Sequence, residues 1–584
     1  MSLRVCLVTP FSWSQPNEAN EHVAGIAEAL RRRDHVVTVL APSGRAADLL
    51  AGRRALARGV PGDELGDVVA LGRAVPISRH SRLGVPVGVR ANLALALQRG
   101  GFDVVHAFEP GLPSLSYLAL LEAETLTAAT FLSTDRLGYP TRRTQREKLL
   151  ARTDALLAVS TEVAELAAER FPGDYELLPL GVDTARVAPG GQRQLIAVEV
   201  RVDALPVARA VLRGLKGLPG WKIALVRTTP LATRPAIPLS VRDRVRVRSL
   251  VRLELRAALL AEAAILVPAT EGSARLRLEA MASGCAIAAP PGVAEQPELA
   301  AAAVARLAED EQFRHTESEK SRASAELQSF DRAAAELEAV YARIGGRRRA
   351  VRQGVEPLGD REWIVADLHM HTVHSVDCSI PVADLLDHAE AEGLGAIAVT
   401  DHNVFAGAQE AAALAHTRDL IVIRGEEVKT DNQGEVIGLF LEEEIPRGMS
   451  FTDTVAAIRE QGGLVYLPHP FDRMHAIPDP ATLHRHLPEI DVFEVYNARL
   501  LFDGYNDEAL RFATKYGLLA GAGSDAHVLP GVGTGALRMR RFDGPEEFLL
   551  SLRTAEVLRR PKSLAYLQSL KWVAQARDKF TPAT

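Results

Sequence analysis

Eleven of the sixteen histidines fall after position 360, and most of the informative ones stand beside carboxylates. Asp367-Leu-His369-Met-His371 ends one short apolar run, and Thr400-Asp401-His402-Asn403 ends the next. Gly425-Glu426-Glu427, Pro468-His469-Pro470 and Ser524-Asp525-Ala526-His527 end three later ones. Residues two apart on a strand share a face, so His369 and His371 can reach one ion together. Imidazole with carboxylate suits zinc, manganese or iron better than calcium or magnesium. A bridging carboxylate can hold two such ions close together, and a cluster of this kind activates water and steadies an in-line displacement at phosphorus. A lone His-x-His or Asp-His is usually a hydrogen-bonded structural pair. Five in order, each at the end of a strand, predict a polynuclear metal site.

The elements that must position these groups are legible as apolar strands alternating with helices. From Trp363 the strands are expected at 364–368, 396–400, 420–424, 436–441, 464–467, 491–495 and 518–522, with helices between them. Seven βα repeats in so short a stretch predict a closed or nearly closed barrel, whose strand C-termini gather on one face. The first 345 residues alternate in the same way and predict two parallel sheets covered by helices. One long helix is expected over about 309–344. Residues 345–361, with Arg347, Arg348 and Arg349 among Gly and Pro, read as a solvated linker. The expected domains are 1–187, 188–344, the linker 345–361, and 362–584. The chain of 584 residues is too long for one core, and its net charge of −6 shows no nucleic-acid-binding surface. Three scattered cysteines form no disulfide framework, and no apolar run is long enough for a membrane span, so the expected compartment is the cytoplasm.

The ordered strand-end motifs resemble the PHP (polymerase and histidinol phosphatase) superfamily over about 363–540. The resemblance implies a distorted (β/α)7 barrel with two or three divalent ions (zinc, manganese or iron) and hydrolysis of a phosphate ester by a metal-activated water. It implies that His369, His371, Glu427 and Asp525 hold one ion. Glu427 would bridge to a second that His469 also binds, and Asp377, His402 and His527 would hold a third. His369, His371, Glu427, Asp525 and His527 are then the catalytic candidates. The superfamily often has a histidine on the strand after the bridging glutamate, where this chain has Glu435, a ligand with a different metal preference. Arg473, Asn497, Arg499 and Asn403 are candidate substrate contacts, arginine being suited to bidentate phosphate recognition.

In the first half, Val8-Thr-Pro-Phe11, His22-Val-Ala-Gly25, Phe102-Asp-Val-Val-His106, Leu180-Gly-Val-Asp183 and the pair Glu271 and Glu279 are found. They resemble retaining GT-B glycosyltransferases of family 4, most of all phosphatidylinositol mannosyltransferases, and imply two Rossmann-like domains. The departures are electrostatic. Asn17-Glu18 stands where the family has a Gly-Gly loop for the donor phosphate, and Leu132 stands where it has a histidine. Only Arg201 remains of the cationic pair that neutralises the donor diphosphate. Arg201, Glu271 and Glu279 would be a vestigial sugar-nucleotide site, and the half is expected to be degenerate. The expected ligands are a small phosphorylated substrate, including a nucleotide or oligonucleotide end, and a nucleotide-sugar or glycan for the first half. The rival readings are an active nucleotide-sugar-dependent transferase with an accessory barrel, and a 5'-3' exonuclease or nucleotide phosphatase.

Overall fold

The computed structural model describes residues 2–57, 65–78, 81–84, 89–201, 204–227, 235–250, 252–269, 273–349 and 358–560. The chain divides into two compact units, Met1–Arg343 and Ile344–Thr584.

The first unit holds two sheets. One is built from β1 (Arg4–Val8), β2 (Val36–Ser43), β3 (Val68–Ser78), β4 (Ser81–Gly84), β5 (Val104–Phe108), β6 (Leu126–Phe131), β7 (Ala155–Ala158) and β8 (Tyr175–Leu177). Their order is β4-β3-β2-β1-β5-β6-β7-β8, with β4 antiparallel and the other pairings parallel. The second contains β9 (Arg193–Glu199), β10 (Lys222–Arg227), β11 (Val245–Ser249), β12 (Ala263–Val267) and β13 (Ala286–Ile287), ordered β11-β10-β9-β12-β13 and wholly parallel. Strands such as β5 and β12 are buried along their whole length, which explains their near-continuous apolar sequences. The order reverses between β1 and β5 and again between β9 and β12, and such reversals open the crevices where doubly wound sheets bind ligands.

The long helix expected over 309–344 is instead two, Glu311–Glu326 and Phe330–Gly345, and a separate helix, Glu298–Glu309, runs up to them. Asp310 leaves the helical conformation and its carboxylate accepts the Phe313 N–H at 2.8 Å, restarting the helix as an N-cap. The second break lets Gln328 and Phe330 exchange backbone hydrogen bonds with Val182.

The second unit has one nine-stranded sheet. Its strands are β14 (Trp363–Met370), β15 (Ala396–Val399), β16 (Ile421–Lys429), β17 (Glu435–Leu439), β18 (Leu464–Leu467), β19 (Val492–Asn497), β20 (Leu519–Gly523), β21 (Gly535–Arg540) and β22 (Glu556–Arg559). They follow the order β20-β19-β18-β17-β16-β15-β14-β21-β22. The sheet curls so that its β20 end returns to β14. Asp525 donates its N–H to the His369 carbonyl at 2.8 Å, and His371 donates to Ala526 at 3.1 Å. The result is a nearly closed barrel whose seam lies beside the histidine pair. One expected βα repeat is absent. β16 runs directly into β17 as an antiparallel hairpin, and β17 is antiparallel to β18 as well. The basic run at the start of this unit is not wholly solvated, because Arg349 donates from its guanidinium to the carbonyls of Leu487, Pro488 and Ile490.

Candidate metal centre

The ligand-type side chains arrive from six strands. His369 lies at the end of β14, with His371 just beyond it, and both are fully buried. His402 follows β15, Glu427 lies in β16, His469 follows β18, and Asp525 with His527 follow β20. Glu435 opens β17. Because that strand runs opposite to its neighbours, its start shares the barrel mouth with their ends, and the Glu435 carboxylate comes 3.7 Å from His469 Nε2. Asp377 lies on the loop after β14, with its carboxylate 2.9 Å from His527 Nε2 and 3.7 Å from His402 Nε2.

Glu427 is the hub. Its carboxylate lies 3.4 Å from His369 Nε2, 3.5 Å from His371 Nε2, 3.0 Å from His402 Nδ1 and 3.1 Å from His469 Nε2. Its neighbour Glu426 points the other way, and burial lifts it to about 7 although the Ile445 N–H that it accepts at 2.9 Å partly opposes this. Asp525 lies 4.0 Å from His369 Nε2 and 3.4 Å from His371 Nε2. Four trios have ligand atoms mutually within 4.8 Å: His369, His371, Asp525; His369, Glu427, His469; His402, Glu427, Glu435; and His371, His402, His527. Tetrahedral ligands about 2.1 Å from an ion stand roughly 3.4 Å apart, which is the spacing seen around Glu427 and His371. His371 Nε2 is buried and accepts no hydrogen bond. A bare imidazole nitrogen facing two carboxylates fits a cation.

The charges respond to this crowding. Burial would lower His369, but Glu427, Glu494 and Asp525 together raise it well above the usual imidazole value. His402 and His469 go the same way, each reaching about 9 against burial because Glu427 adjoins both. Burial would raise Glu427 and Asp525, yet both are held well below the carboxylate range, the first by His369 and His402, the second by Arg499 and His369. Burial drives His371 down, and His527 adds to it. Such opposed shifts in one cleft are a mark of functional sites.

Backbone geometry and supporting side chains hold the set in place. His469 and Asp525 both adopt positive φ, 26° and 51°, a conformation that bulky residues reach only when their surroundings enforce it. A methyl group on Gly523 would lie 2.3 Å from His369 Cβ, so glycine is what lets β20 approach the pair. Glu494 in β19 belongs to none of the strand-end motifs. It is buried and accepts from His369 Nδ1 at 3.0 Å, Tyr466 O–H at 2.8 Å, His469 N–H at 2.6 Å and Asn497 Nδ2 at 3.1 Å. An ionised acceptor at Nδ1 fixes the proton there and leaves Nε2 free for an ion. Asp401 stands within the Thr400-Asp401-His402-Asn403 motif. It anchors the loop after β14 by accepting from Thr372 N–H at 2.7 Å, Thr372 O–H at 2.6 Å and Ser375 O–H at 2.7 Å. A lone carboxylate inside an otherwise apolar strand was the available signal for Glu494.

The expected substrate contacts separate. Arg499 reaches the centre, donating to Asp525 at 3.0 Å and lying 3.3 Å from His527 Nε2. Asn497 is buried and supports Glu494 and Asp525 instead of facing the mouth. The Asn403 carbonyl oxygen is turned to the Lys429 N–H at 2.8 Å. Arg473 is half-buried on the loop after β18.

In the first unit, Glu271 lies outside the described residues, and Arg201 is half-buried just past β9. Glu279 is buried in a chelate with Arg256, at 2.6 and 2.9 Å. The crevice between β9 and β12 is filled from within. Glu199 at the end of β9 accepts the N–H groups of Ala269 at 3.1 Å and Ser273 at 3.0 Å. Ser273 is the N-cap of helix Ala274–Ala282 and donates its hydroxyl to Glu18 at 2.7 Å. Two carboxylates thus occupy the positive end of a helix, where an anionic ligand would otherwise sit.

Fold and site together define a two-unit α/β protein, a pair of doubly wound sheets followed by a nearly closed barrel that gathers a His, Asp and Glu cluster at its mouth. The family description "Glycosyltransferase Family 4" matches residues 19–186. "PHP domain" matches 367–487, and "PHP-associated" matches 503–557. An uncharacterized protein of Methanocaldococcus jannaschii is 35% identical over 211 residues, covering 34% of this chain and 84% of that protein. The phosphatidyl-myo-inositol mannosyltransferase of Propionibacterium freudenreichii subsp. shermanii is 30% identical over 243 residues, 37% of this chain and 60% of that enzyme. Among solved structures, a putative metal-dependent phosphoesterase from Bifidobacterium adolescentis shows 18% identity and a TM-score of 0.24, covering 28% of this chain and 87% of that one. The chain carries a glycosyltransferase family 4 domain in its first unit and a PHP domain with a PHP-associated segment in its second. Among the described residues no helix is long and apolar enough to cross a membrane.

Proposed function

We propose that the second unit is a metal-dependent phosphoesterase and that the first no longer transfers sugar. The observation that carries the first part is the convergence of His369, His371, His402, Glu427, Glu435, His469, Asp525 and His527 from separate strand ends onto overlapping trios of ligand atoms. His369, His371, Glu427 and Asp525 would hold one ion. Glu427, His469 and Glu435 would hold a second, and Asp377, His402 and His527 a third. Divalent ions held there supply Lewis acidity, which makes water a nucleophile near neutral pH and offsets charge developing on phosphoryl oxygens. The chain's own part is orientation. Glu494 keeps the His369 proton on Nδ1, and Asp401 with Ser375 steadies the loop that carries Asp377. The Arg499 guanidinium, already at the mouth, is placed to receive a phosphoryl oxygen through its planar fork.

The test is hydrolysis of an aryl phosphate by manganese-loaded full chain. His369→Ala combined with His371→Ala is expected to abolish it while the first unit stays folded by circular dichroism. Unchanged hydrolysis would refute the assignment. For the first unit, the filled helix terminus supports loss of donor binding, because Glu18 and Glu199 stand where a diphosphate needs positive partners. Nucleotide sugars are expected to leave the melting temperature unchanged, and clear stabilisation by one of them would overturn that half of the proposal.

A further inference from the structure

The loops that carry the ligand set also carry apolar side chains turned to solvent. Val373 and Val376 flank the stretch leading to Asp377, and Val376 is 101% exposed. Met474 adjoins Arg473, and Leu501 and Phe502 follow Arg499, with Phe502 53% exposed. The other exposed large apolar residues described in this unit, Leu414 and Leu510, lie on helices. Single exposed apolar residues are ordinary, but five on the three loops that follow β14, β18 and β19 make a rim. Two of those loops are tied to the centre by polar contacts, through Asp377 to His527 at 2.9 Å and through Arg499 to Asp525 at 3.0 Å. The third follows His469 directly. The mouth therefore has carboxylate, imidazole and guanidinium groups within and apolar side chains on the loops around it.

We infer that this rim recognises the leaving group, so that the preferred substrates are phosphate monoesters of an apolar alcohol or phenol. The inference rests on the phosphoesterase reading and deepens it. The occupant is fixed by continuity. A phosphoryl group at Arg499 and the ligand cluster leaves its ester substituent among Val373, Val376, Met474, Leu501 and Phe502. Hydrophobic contacts of this kind discriminate by about tenfold or more for each group well covered.

The experiment uses manganese-loaded full chain and two pairs of esters matched in leaving-group chemistry, decyl against ethyl phosphate and 2-naphthyl against phenyl phosphate. The pairs separate an aliphatic chain from an aromatic ring as the source of the apolar body. We expect kcat/KM to favour the larger member by about tenfold in at least one pair. Val376→Ser and Phe502→Ser should each shrink that ratio about threefold or more. No preference in either pair, or a preference indifferent to both substitutions, overturns the inference. Decylphosphonate and ethylphosphonate, bound by calorimetry, supply a readout independent of turnover. If no ester is hydrolysed but decylphosphonate still binds more tightly through Val376 and Phe502, the phosphoesterase reading fails and the rim stands. If Phe502→Ser converts a dimer to a monomer in sedimentation without changing selectivity, the rim is a subunit interface and the inference is wrong.

Discussion

Replacing Glu494 by glutamine should loosen the metal centre without unmaking the barrel. One oxygen of Glu494 accepts from His369 Nδ1 and Tyr466 O–H, and the other accepts from His469 N–H and Asn497 Nδ2. Glutamine keeps the shape but offers a single oxygen. Whichever way it turns, an NH2 group meets two donors. If the NH2 faces His369, the imidazole must move its proton to Nε2 or rotate, and in either case the ligand atom is lost. If it faces His469, the positive-φ backbone of that residue loses its charged acceptor. Supporting partners of this sort are worth about 10- to 100-fold in metal affinity, or roughly 1.4–2.7 kcal/mol. Competition of a chromophoric chelator for zinc measures the affinity directly, with Glu494→Asp expected to recover part of the loss. Melting of the metal-free protein serves as the control for a general loss of folding. Zinc affinity within twofold of the parent would show that Glu494 does not orient the ligands.

Arg256→Ala in the first unit strands Glu279, which is buried in its guanidinium chelate, and should cost about 3 kcal/mol, read as a lower urea midpoint. Glu109 is buried at a positive φ of 54°, and burial lifts its carboxyl to about 8 although Arg136 partly opposes this. The folded state then holds a proton that the unfolded state releases near 4.5, so stability is greatest below that point and falls as pH rises towards 8. Glu109→Gln should flatten this fall and gain about 2–4 kcal/mol at pH 8 in chemical denaturation, and an unchanged slope would refute it.

Much of the centre was legible because strand-end motifs are local. His369-x-His371, His402, Glu427, His469 and Asp525 with His527 each follow an apolar run, and a barrel collects such ends without further information. Glu435 needed more, since only the reversal of β17 brings a strand start to that mouth, and alternation of apolar residues does not reveal strand direction. The same hairpin is why one expected βα repeat is missing. Glu494 escaped notice because its partners come from β14, β18 and the backbone of His469, and sequence spacing carries no trace of these contacts. Asn497 was picked as a substrate contact by its place after a strand, yet its side chain turned inward to support Glu494 and Asp525. In the first unit, Glu18 stood out against a glycine loop. Glu199 carries no such mark in the sequence, and its role appears only when β9 and β12 lie side by side with their loop amides converging.

The measurement closest to the heart of these proposals is a crystal structure of the full chain with manganese or zinc, using anomalous scattering to place the ions. Two or three strong peaks are expected, each about 2.0–2.3 Å from its ligand atoms, with Glu427 shared between two of them. Peaks confined to the protein surface, or a mouth in which His369, Glu427, His469 and Asp525 close on one another with no ion between them, would contradict a metal-dependent enzyme.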